Sequence, residues 1–211
     1  MKRATKRSEE ELFNTFTHTV GVVFALVGAF FVIVPGCKTN WAMGFGTTVF
    51  VAGMLFMYIC STLYHWSVGN KRKRLWRIFD HASIYVMIAA SYTPICLGIV
   101  SGVRGWALFG LQWVLAAVGV VFKIRYTGRY PRLSLITYLA MGWSIVFVAP
   151  SVFTRLPASA LWAILGEGIA YTSGTYFFAH DGRRFFHGVW HISVLLGSVF
   201  HWFALLLILR S

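Results

Sequence analysis

Seven long apolar runs follow one another along the chain, separated by short polar gaps. They cover residues 12–34, 41–63, 82–99, 106–122, 133–152, 156–178 and 185–209. Each run approaches the ~20 residues that an α-helix needs to cross the hydrocarbon core of a membrane. Hydrophobic residues make up 58% of the chain, with a mean hydropathy of +0.69, which argues against an ordinary soluble domain. We therefore predict an all-α integral membrane protein, a single seven-transmembrane-helix bundle over residues 1–211, because helices satisfy their own backbone hydrogen bonds in lipid.

The basic residues alternate between the polar gaps. Of the 19 Lys and Arg residues, fifteen lie in the N-terminal tail and in every second gap, and four lie elsewhere. Those four are Lys38, Arg104, Arg155 and Arg210. Loops rich in Lys and Arg stay in the cytoplasm, so we expect the N-terminus in the cytoplasm and the C-terminus outside. We interpret the net charge of +13 as a signal that orients the protein in the membrane, where the basic residues contact anionic headgroups of the cytoplasmic leaflet. We therefore expect no nucleic-acid binding.

A helix start signal precedes the first apolar run. The sequence Ser8-Glu9-Glu10-Glu11 fits a capping box, in which Ser8 caps the helix and Glu11 reaches back to the cap. Three acidic residues also suit the positive end of a helix dipole. The pattern predicts that the first helix begins at Ser8, close to the inner membrane interface.

Four ionisable residues are expected to reach the same depth in the bundle. His65 ends the second run, Asp80 precedes the third, and His187 and His191 open the seventh. Because neighbouring spans run in opposite directions, all four positions lie at the cytoplasmic ends of their spans. Ionisable residues in such places are costly to bury without a partner and are candidates for function.

The spacing of these residues indicates a metal site. His187 and His191 are four residues apart, which places both imidazoles on one helix face, and Ser61 stands at the same offset from His65. Three neutral imidazoles with an open fourth position form a common catalytic zinc site. We predict Zn²⁺ ligation by His65, His187 and His191, with Asp80 and Ser61 as catalytic residues that orient or deprotonate a water molecule.

Several motifs resemble those of the bacterial hemolysin III family, within the superfamily of progestin and adipoQ receptors and alkaline ceramidases. They are Glu10-Glu11-Leu12-Phe13-Asn14-Thr15-Phe16-Thr17-His18, Ser61-Thr62-Leu63-Tyr64-His65, Asp80-His81-Ala82-Ser83-Ile84-Tyr85, Tyr92-Thr93-Pro94, and His187-Gly188-Val189-Trp190-His191 with His201 ten residues later. The resemblance implies a seven-helix fold in a bacterial inner (plasma) membrane. It also implies a zinc ion at the cytoplasmic helix ends, held by His65, His187 and His191, with Asp80 and Ser61 beside it.

Three further polar residues have roles that the sequence leaves open. His18 begins the first span at the right depth and is either a polar contact near the site or a metal ligand. His201 lies ~15 Å along the helix from His191, too far to share the metal, and an interhelical hydrogen bond is expected. Glu167 stands where related sequences have a small residue of a Gly-Gly pair, and it is either a paired buried acid or a proton site.

Three functions fit these observations. The first is a zinc-dependent hydrolase of amide or ester bonds in a membrane lipid, as the resemblance to ceramidases implies. The second is a receptor-like sensor of the membrane state with structural zinc. The third is cytolysis, as the family name implies, although a pore needs a polar stripe along whole helices and the polar residues here concentrate at one end.

Overall fold

The computed structural model describes residues 8–211, and within that range the chain is helical, with no strand. The eight α-helices are α1 (Glu9–Thr39), α2 (Trp41–Trp66), α3 (Asn70–Pro94), α4 (Gly102–Tyr126), α5 (Pro131–Gly142), α6 (Ala149–Arg155), α7 (Ala158–Ala179) and α8 (Phe186–Ile208). A π-helical turn, Ile95–Val100, continues α3, and a 3₁₀ segment, Trp143–Val148, joins α5 to α6. Single residues or short turns connect many of the helices, and α1 packs against α2, α2 against α3, α3 against α4 and α7 against α8.

Six of the described helical segments are long and apolar enough to cross a membrane. They are Glu9–Thr39, Trp41–Trp66, Asn70–Val100, Gly102–Tyr126, Pro131–Arg155 and Phe186–Ile208. The predicted run 156–178 forms α7, which has 22 residues and is not among the six. Glu167 and the hydroxyl-rich half that follows it lower its apolar content. The protein is therefore a multi-pass α-helical membrane protein, and the count of seven spans stays a prediction.

The basic stretch 71–77 is helical, although the sequence predicted a loop there. Helix α3 begins at Asn70, twelve residues before the predicted span. Lys and Arg are good helix formers, so the drop in hydropathy at this point marks the edge of the apolar region and not the end of the helix. Arg77 and Asp80 consequently stand on the same rigid helix as the apolar residues after them.

The fifth apolar run is broken where the sequence predicted a continuous span. Pro150 lies at the start of α6, and a proline cannot donate the backbone hydrogen bond that would continue the preceding turn. The Tyr92 hydroxyl enters this segment, donating to the Gly142 carbonyl and accepting from the Ile145 N–H at 2.9 Å. A polar side chain from a neighbouring helix thus replaces some of the backbone hydrogen bonds that the break removes, as burial in a membrane requires.

Helices α2 and α3 are the most buried, and α1, α4 and the α5–α6 segment expose large apolar surfaces. On α1, for example, Phe16 and Phe30 are each 67% exposed. Such surfaces are expected to face lipid. The start of α1, the end of α2, the start of α3 and the start of α8 lie together at one end of the bundle, and this end carries the candidate site.

Candidate metal centre

The structure brings together the three histidines that the sequence singled out. His65 lies in the last turn of α2, and His187 and His191 occupy successive turns at the start of α8. Each offers a ring nitrogen within 4.8 Å of the other two, and this group is able to hold a metal ion. The ring centroids of His187 and His191 are 4.8 Å apart, as expected for residues one helical turn apart.

A carboxylate orients His65. Glu11, at the start of α1, lies 2.8 Å from Nδ1 of His65. The carboxylate oxygen accepts, so Nδ1 carries the proton and the lone pair is on Nε2. That Nε2 atom is buried and has no hydrogen-bond partner among the described residues. A buried acceptor left without a partner is costly, and a metal ion is one group that would satisfy it.

His191 is oriented by neutral acceptors from α1. Its Nδ1 lies 3.2 Å from the Thr17 hydroxyl and 3.3 Å from the backbone carbonyl of Asn14. A carbonyl only accepts, so Nδ1 is again the protonated nitrogen and Nε2 is left to ligate. His187 has a weaker contact, with Nδ1 3.9 Å from the Asp181 carboxylate. All three rings therefore have a polar neighbour at Nδ1, which is the usual arrangement around metal-binding histidines.

Asp80 and Ser61 lie beside the three histidines. Asp80 lies close to Ser61 and His65, and it lines the same cavity as His191. Ser61 is 1% exposed, and its hydroxyl makes no well-formed hydrogen bond within residues 8–211. Both side chains therefore lie near His65, and the part they take in any chemistry there stays a prediction.

His18 stacks on the site. Its ring lies parallel to that of His191, with centroids 3.7 Å apart and 17° between the planes, and it meets the Tyr58 ring edge-on at 5.1 Å. Both His18 ring nitrogens are buried without a hydrogen-bond partner in the part of the chain that the structure describes. Its contacts with the site are between rings, without the polar contact that the sequence favoured, and His18 is not one of the three converging histidines.

The acidic start of α1 has a role that the sequence analysis missed. Ser8 caps the helix as predicted, accepting from the Glu11 N–H at 3.2 Å. The predicted capping box is wrong in its second half, because the Glu11 side chain bonds His65 and Lys73. The Lys73 ammonium offers Glu11 a full opposite charge, which the neutral N–H of the cap does not.

The neighbouring acids also tie α1 to the segment before α8. Glu9 pairs with Arg184 at 2.8 Å, and Glu10 accepts from the backbone N–H of Phe185. Phe185 has φ 62°, a left-handed conformation that non-glycine residues seldom adopt. Its contact with Glu10 holds the residue that immediately precedes α8, two positions before His187. One signal for these contacts was present in the sequence, namely that the first turn of α1 has more acidic residues than a helix cap needs.

A second imidazole pairs with an acid further along α8. Nδ1 of His201 lies 2.8 Å from a carboxylate oxygen of Glu167 on α7. The interhelical hydrogen bond expected for His201 is therefore confirmed, and Glu167 is a paired acid. Both residues line a cavity of about 520 Å³ that also contacts Asp80 and His191.

The donor set fits zinc. Imidazole nitrogens suit this ion, and three protein ligands with a remaining open position are typical of its catalytic sites. Zinc ligation itself stays a prediction, as do the roles of Asp80 and Ser61.

Known proteins align with nearly the whole chain. A profile described as "Haemolysin-III related" matches residues 6–202. The chain belongs to the haemolysin-III family. It is 33% identical to "Hemolysin-3" of Bacillus cereus, over 98% of this chain and 94% of that protein. It is 35% identical to "Hemolysin-3 homolog" of Bacillus subtilis (strain 168), over 94% of this chain and 93% of that protein.

Animal proteins also align with this chain. The chain is 28% identical to "Monocyte to macrophage differentiation factor" of Homo sapiens, over 93% of this chain and 83% of that protein. No solved structure matches the chain. The resemblance to the hemolysin III family is thus confirmed, and the names of these relatives mention neither a metal nor a reaction.

Proposed function

We propose that this membrane protein binds one zinc ion through His65, His187 and His191 and hydrolyses an amide or ester bond in a membrane lipid. The observation that supports this most directly is the convergence of the three imidazoles. The buried Nε2 of His65, which no described group satisfies, adds to it. A structural site would fill its fourth position with protein, whereas this group has three members, as catalytic zinc sites do.

The residues around the site suit hydrolysis. When bound, zinc supplies a Lewis acid that polarises a carbonyl and makes water more acidic. Asp80 accepts a proton from the attacking water and passes it to the leaving nitrogen or oxygen. Ser61 donates a hydrogen bond to the substrate carbonyl. The cavity beyond His191 and Asp80 is lined mostly by apolar side chains, which suits a lipid chain and keeps bulk water away from it.

The test is metal-dependent turnover in the purified protein. The protein in mild detergent is assayed against a panel of lipid amides and esters, after chelation and after zinc is restored, with bound metal measured by mass spectrometry. We expect turnover to be lost on chelation and regained with zinc. Asp80→Asn should keep its zinc and lose at least ~100-fold in rate, the usual contribution of a general base.

The alternatives give different results in this assay. Stoichiometric zinc without turnover of any lipid in the panel would favour the sensor with structural zinc. Lysis of erythrocytes or leakage of lipid vesicles that persists in Asp80→Asn would favour cytolysis. An Asp80→Asn variant with undiminished turnover would contradict the proposed role of Asp80.

We further propose seven spans in a bacterial inner (plasma) membrane, with the histidine site at the cytoplasmic face. The distribution of fifteen basic residues against four supports this orientation.

The native thiols offer a test of this orientation, because Cys37 is exposed whereas Cys60 and Cys96 are buried. Membrane-impermeant thiol reagents should label Cys37 in spheroplasts. In a Cys37→Ser background, Lys71→Cys should be labelled only after permeabilisation, and labelling of it in intact spheroplasts would contradict the orientation.

A further inference from the structure

The pair formed by Glu167 and His201 lies apart from the histidine site. His201 follows His191 by ten residues on α8, a rise of ~15 Å along the helix. The side chain of His201 is 2% exposed and that of Glu167 is 15% exposed. Ionisable side chains in such positions are expensive within a membrane and are seldom present without a role.

The contact with Glu167 fixes which nitrogen of His201 is free. A carboxylate oxygen lies 2.8 Å from Nδ1 and accepts a hydrogen bond from the Nδ1–H group, which leaves the lone pair of the neutral ring on Nε2. Nε2 is buried, and no group within residues 8–211 forms a hydrogen bond with it. The Phe50 ring packs against the His201 ring, with centroids 4.6 Å apart and 43° between the planes. The interhelical bond therefore accounts for Nδ1 and leaves a buried acceptor unexplained.

A cavity adjoins the pair, and both side chains are among those that line it. Glu167 and His201 line the same space of about 520 Å³ as Asp80 and His191. This volume lies within the ~300–1,000 Å³ of small-molecule sites. Between the polar groups the lining is largely aliphatic and aromatic, with residues such as Met87, Ile88 and Val194. A molecule with an apolar body and a hydrogen-bond donor suits such a space.

We propose that Glu167 and His201 form a second binding site, which accepts a hydrogen bond from a hydroxyl group of a lipid-soluble ligand. Nε2 of His201 is the acceptor, and Glu167 acts through His201 by holding it in the required tautomer. The site needs no metal, so it stands independently of the proposed hydrolase. A donor is required because the lone pair of a neutral imidazole attracts an O–H group and has nothing to offer an ether or an alkane.

The test compares two probes that differ in the donor. Binding of 1-dodecanol and of dodecyl methyl ether is measured on the purified full chain in detergent, after chelation, by competition with radiolabelled 1-dodecanol. The ether has the larger apolar body, so apolar burial alone would favour it. We expect 1-dodecanol to bind at least about tenfold more tightly, which corresponds to ~1.4 kcal/mol. Equal binding of the two probes would mean that the pair only links α7 to α8.

Variants locate the discrimination between the two probes. His201→Phe keeps a planar ring without an acceptor and should bring the ratio of the affinities for 1-dodecanol and the ether to about one. Glu167→Gln retains a carbonyl that accepts from Nδ1 and should preserve it. Ser91→Ala is the control, since Ser91 lines the same cavity but its hydroxyl donates to the Ile88 carbonyl of its own helix. Discrimination that persists in His201→Phe would overturn the assignment.

A measurement on the unaltered protein covers the case in which His201→Phe does not fold. A 1-dodecanol analogue with a diazirine beside the hydroxyl is photolysed in the chelated protein, and the labelled peptides are sequenced. Labels on α7 and α8 around positions 167 and 201 support the site. Labels confined to the neighbourhood of His65, His187 and His191 overturn it, whatever the outcome of the hydrolase assay.

Discussion

At the histidine site Glu11 contacts Nδ1 of His65 at 2.8 Å, and deeper in the bundle Glu167 contacts Nδ1 of His201 at the same distance. Both pairs leave a buried Nε2 without a hydrogen-bond partner in the described residues. The surroundings of the two rings differ. His65 faces two more imidazoles, whereas His201 faces an aromatic ring and an apolar cavity. The number of converging donors, and not the carboxylate–imidazole pair, therefore decides whether a ring is suited to a metal.

The two carboxylates are also held differently. Glu11 contacts both His65 and Lys73, and Lys73 in turn lies 5.2 Å from the centre of the Tyr64 ring. The described part of the chain gives Glu167 a single hydrogen-bond partner, His201. Glu11 thus belongs to a network that joins α1, α2 and α3 at the bundle end, while Glu167 joins α7 to α8. Loss of either acid is expected to affect only its own region.

The largest expected effect is the loss of metal from His191→Ala. The variant leaves two of three ligands, and we expect zinc affinity to fall by more than ~100-fold, beyond the 10–100-fold typical of lost supporting groups. The matched control is His201→Ala on the same helix, which should keep its zinc. Competition with a calibrated chelator gives both affinities. Stoichiometric zinc in the triple variant His65→Ala, His187→Ala, His191→Ala would show that the metal site lies elsewhere.

The next effect in size concerns the two acids. Glu11→Gln should lower zinc affinity by roughly 10–100-fold, because the amide no longer supplies the charge that orients His65 and strengthens its donation. Glu167→Gln should leave zinc affinity unchanged. The same chelator competition measures both.

Lys73→Met separates orientation of His65 from simple loss of the Glu11 ion pair. This variant keeps the contact between Glu11 and His65, and we expect a change in zinc affinity of less than about fivefold, as a partly exposed ion pair is worth up to ~1 kcal/mol. If Lys73→Met and Glu11→Gln weaken zinc binding equally, the positive charge of Lys73 matters as much as the orientation of His65.

The convergence of the three histidines could be predicted because it depends on few variables. The direction of successive apolar runs places the ends of α2 and the start of α8 at one depth, and the i, i+4 spacing places His187 and His191 on one face. Neither inference needs helix tilt or rotation. The helical character of most of the chain followed for the same reason, from the length and hydropathy of the runs.

Features that depend on pairs of distant residues could not be predicted. Glu11 matched a local capping pattern, and nothing in the sequence indicated that His65, 54 positions away, would compete for its carboxylate. In the broken fifth run, the group that satisfies part of the free backbone is the Tyr92 hydroxyl of α3, which bonds Gly142 and Ile145. Likewise, Glu167 was ambiguous until the α7–α8 contact placed His201 beside it. In each case the deciding partner comes from another helix.

The smallest expected effect tests whether neutral acceptors matter as the carboxylates do. Thr17→Val removes one of two acceptors near Nδ1 of His191, and the Asn14 carbonyl at 3.3 Å remains. Zinc affinity should therefore fall by less than the limit of about fivefold set for Lys73→Met, and by less than the loss of a carboxylate partner causes. Thr19→Val is the control on the same helix, because the Thr19 hydroxyl donates to the Thr15 carbonyl at 2.8 Å and has no contact with the site. A Thr17→Val loss equal to that of Glu11→Gln would mean that positioning of the ring, and not the charge behind it, controls the metal. A neutral acceptor and a charged acceptor would then support a metal-binding imidazole equally well, provided that each holds the ring in the same orientation.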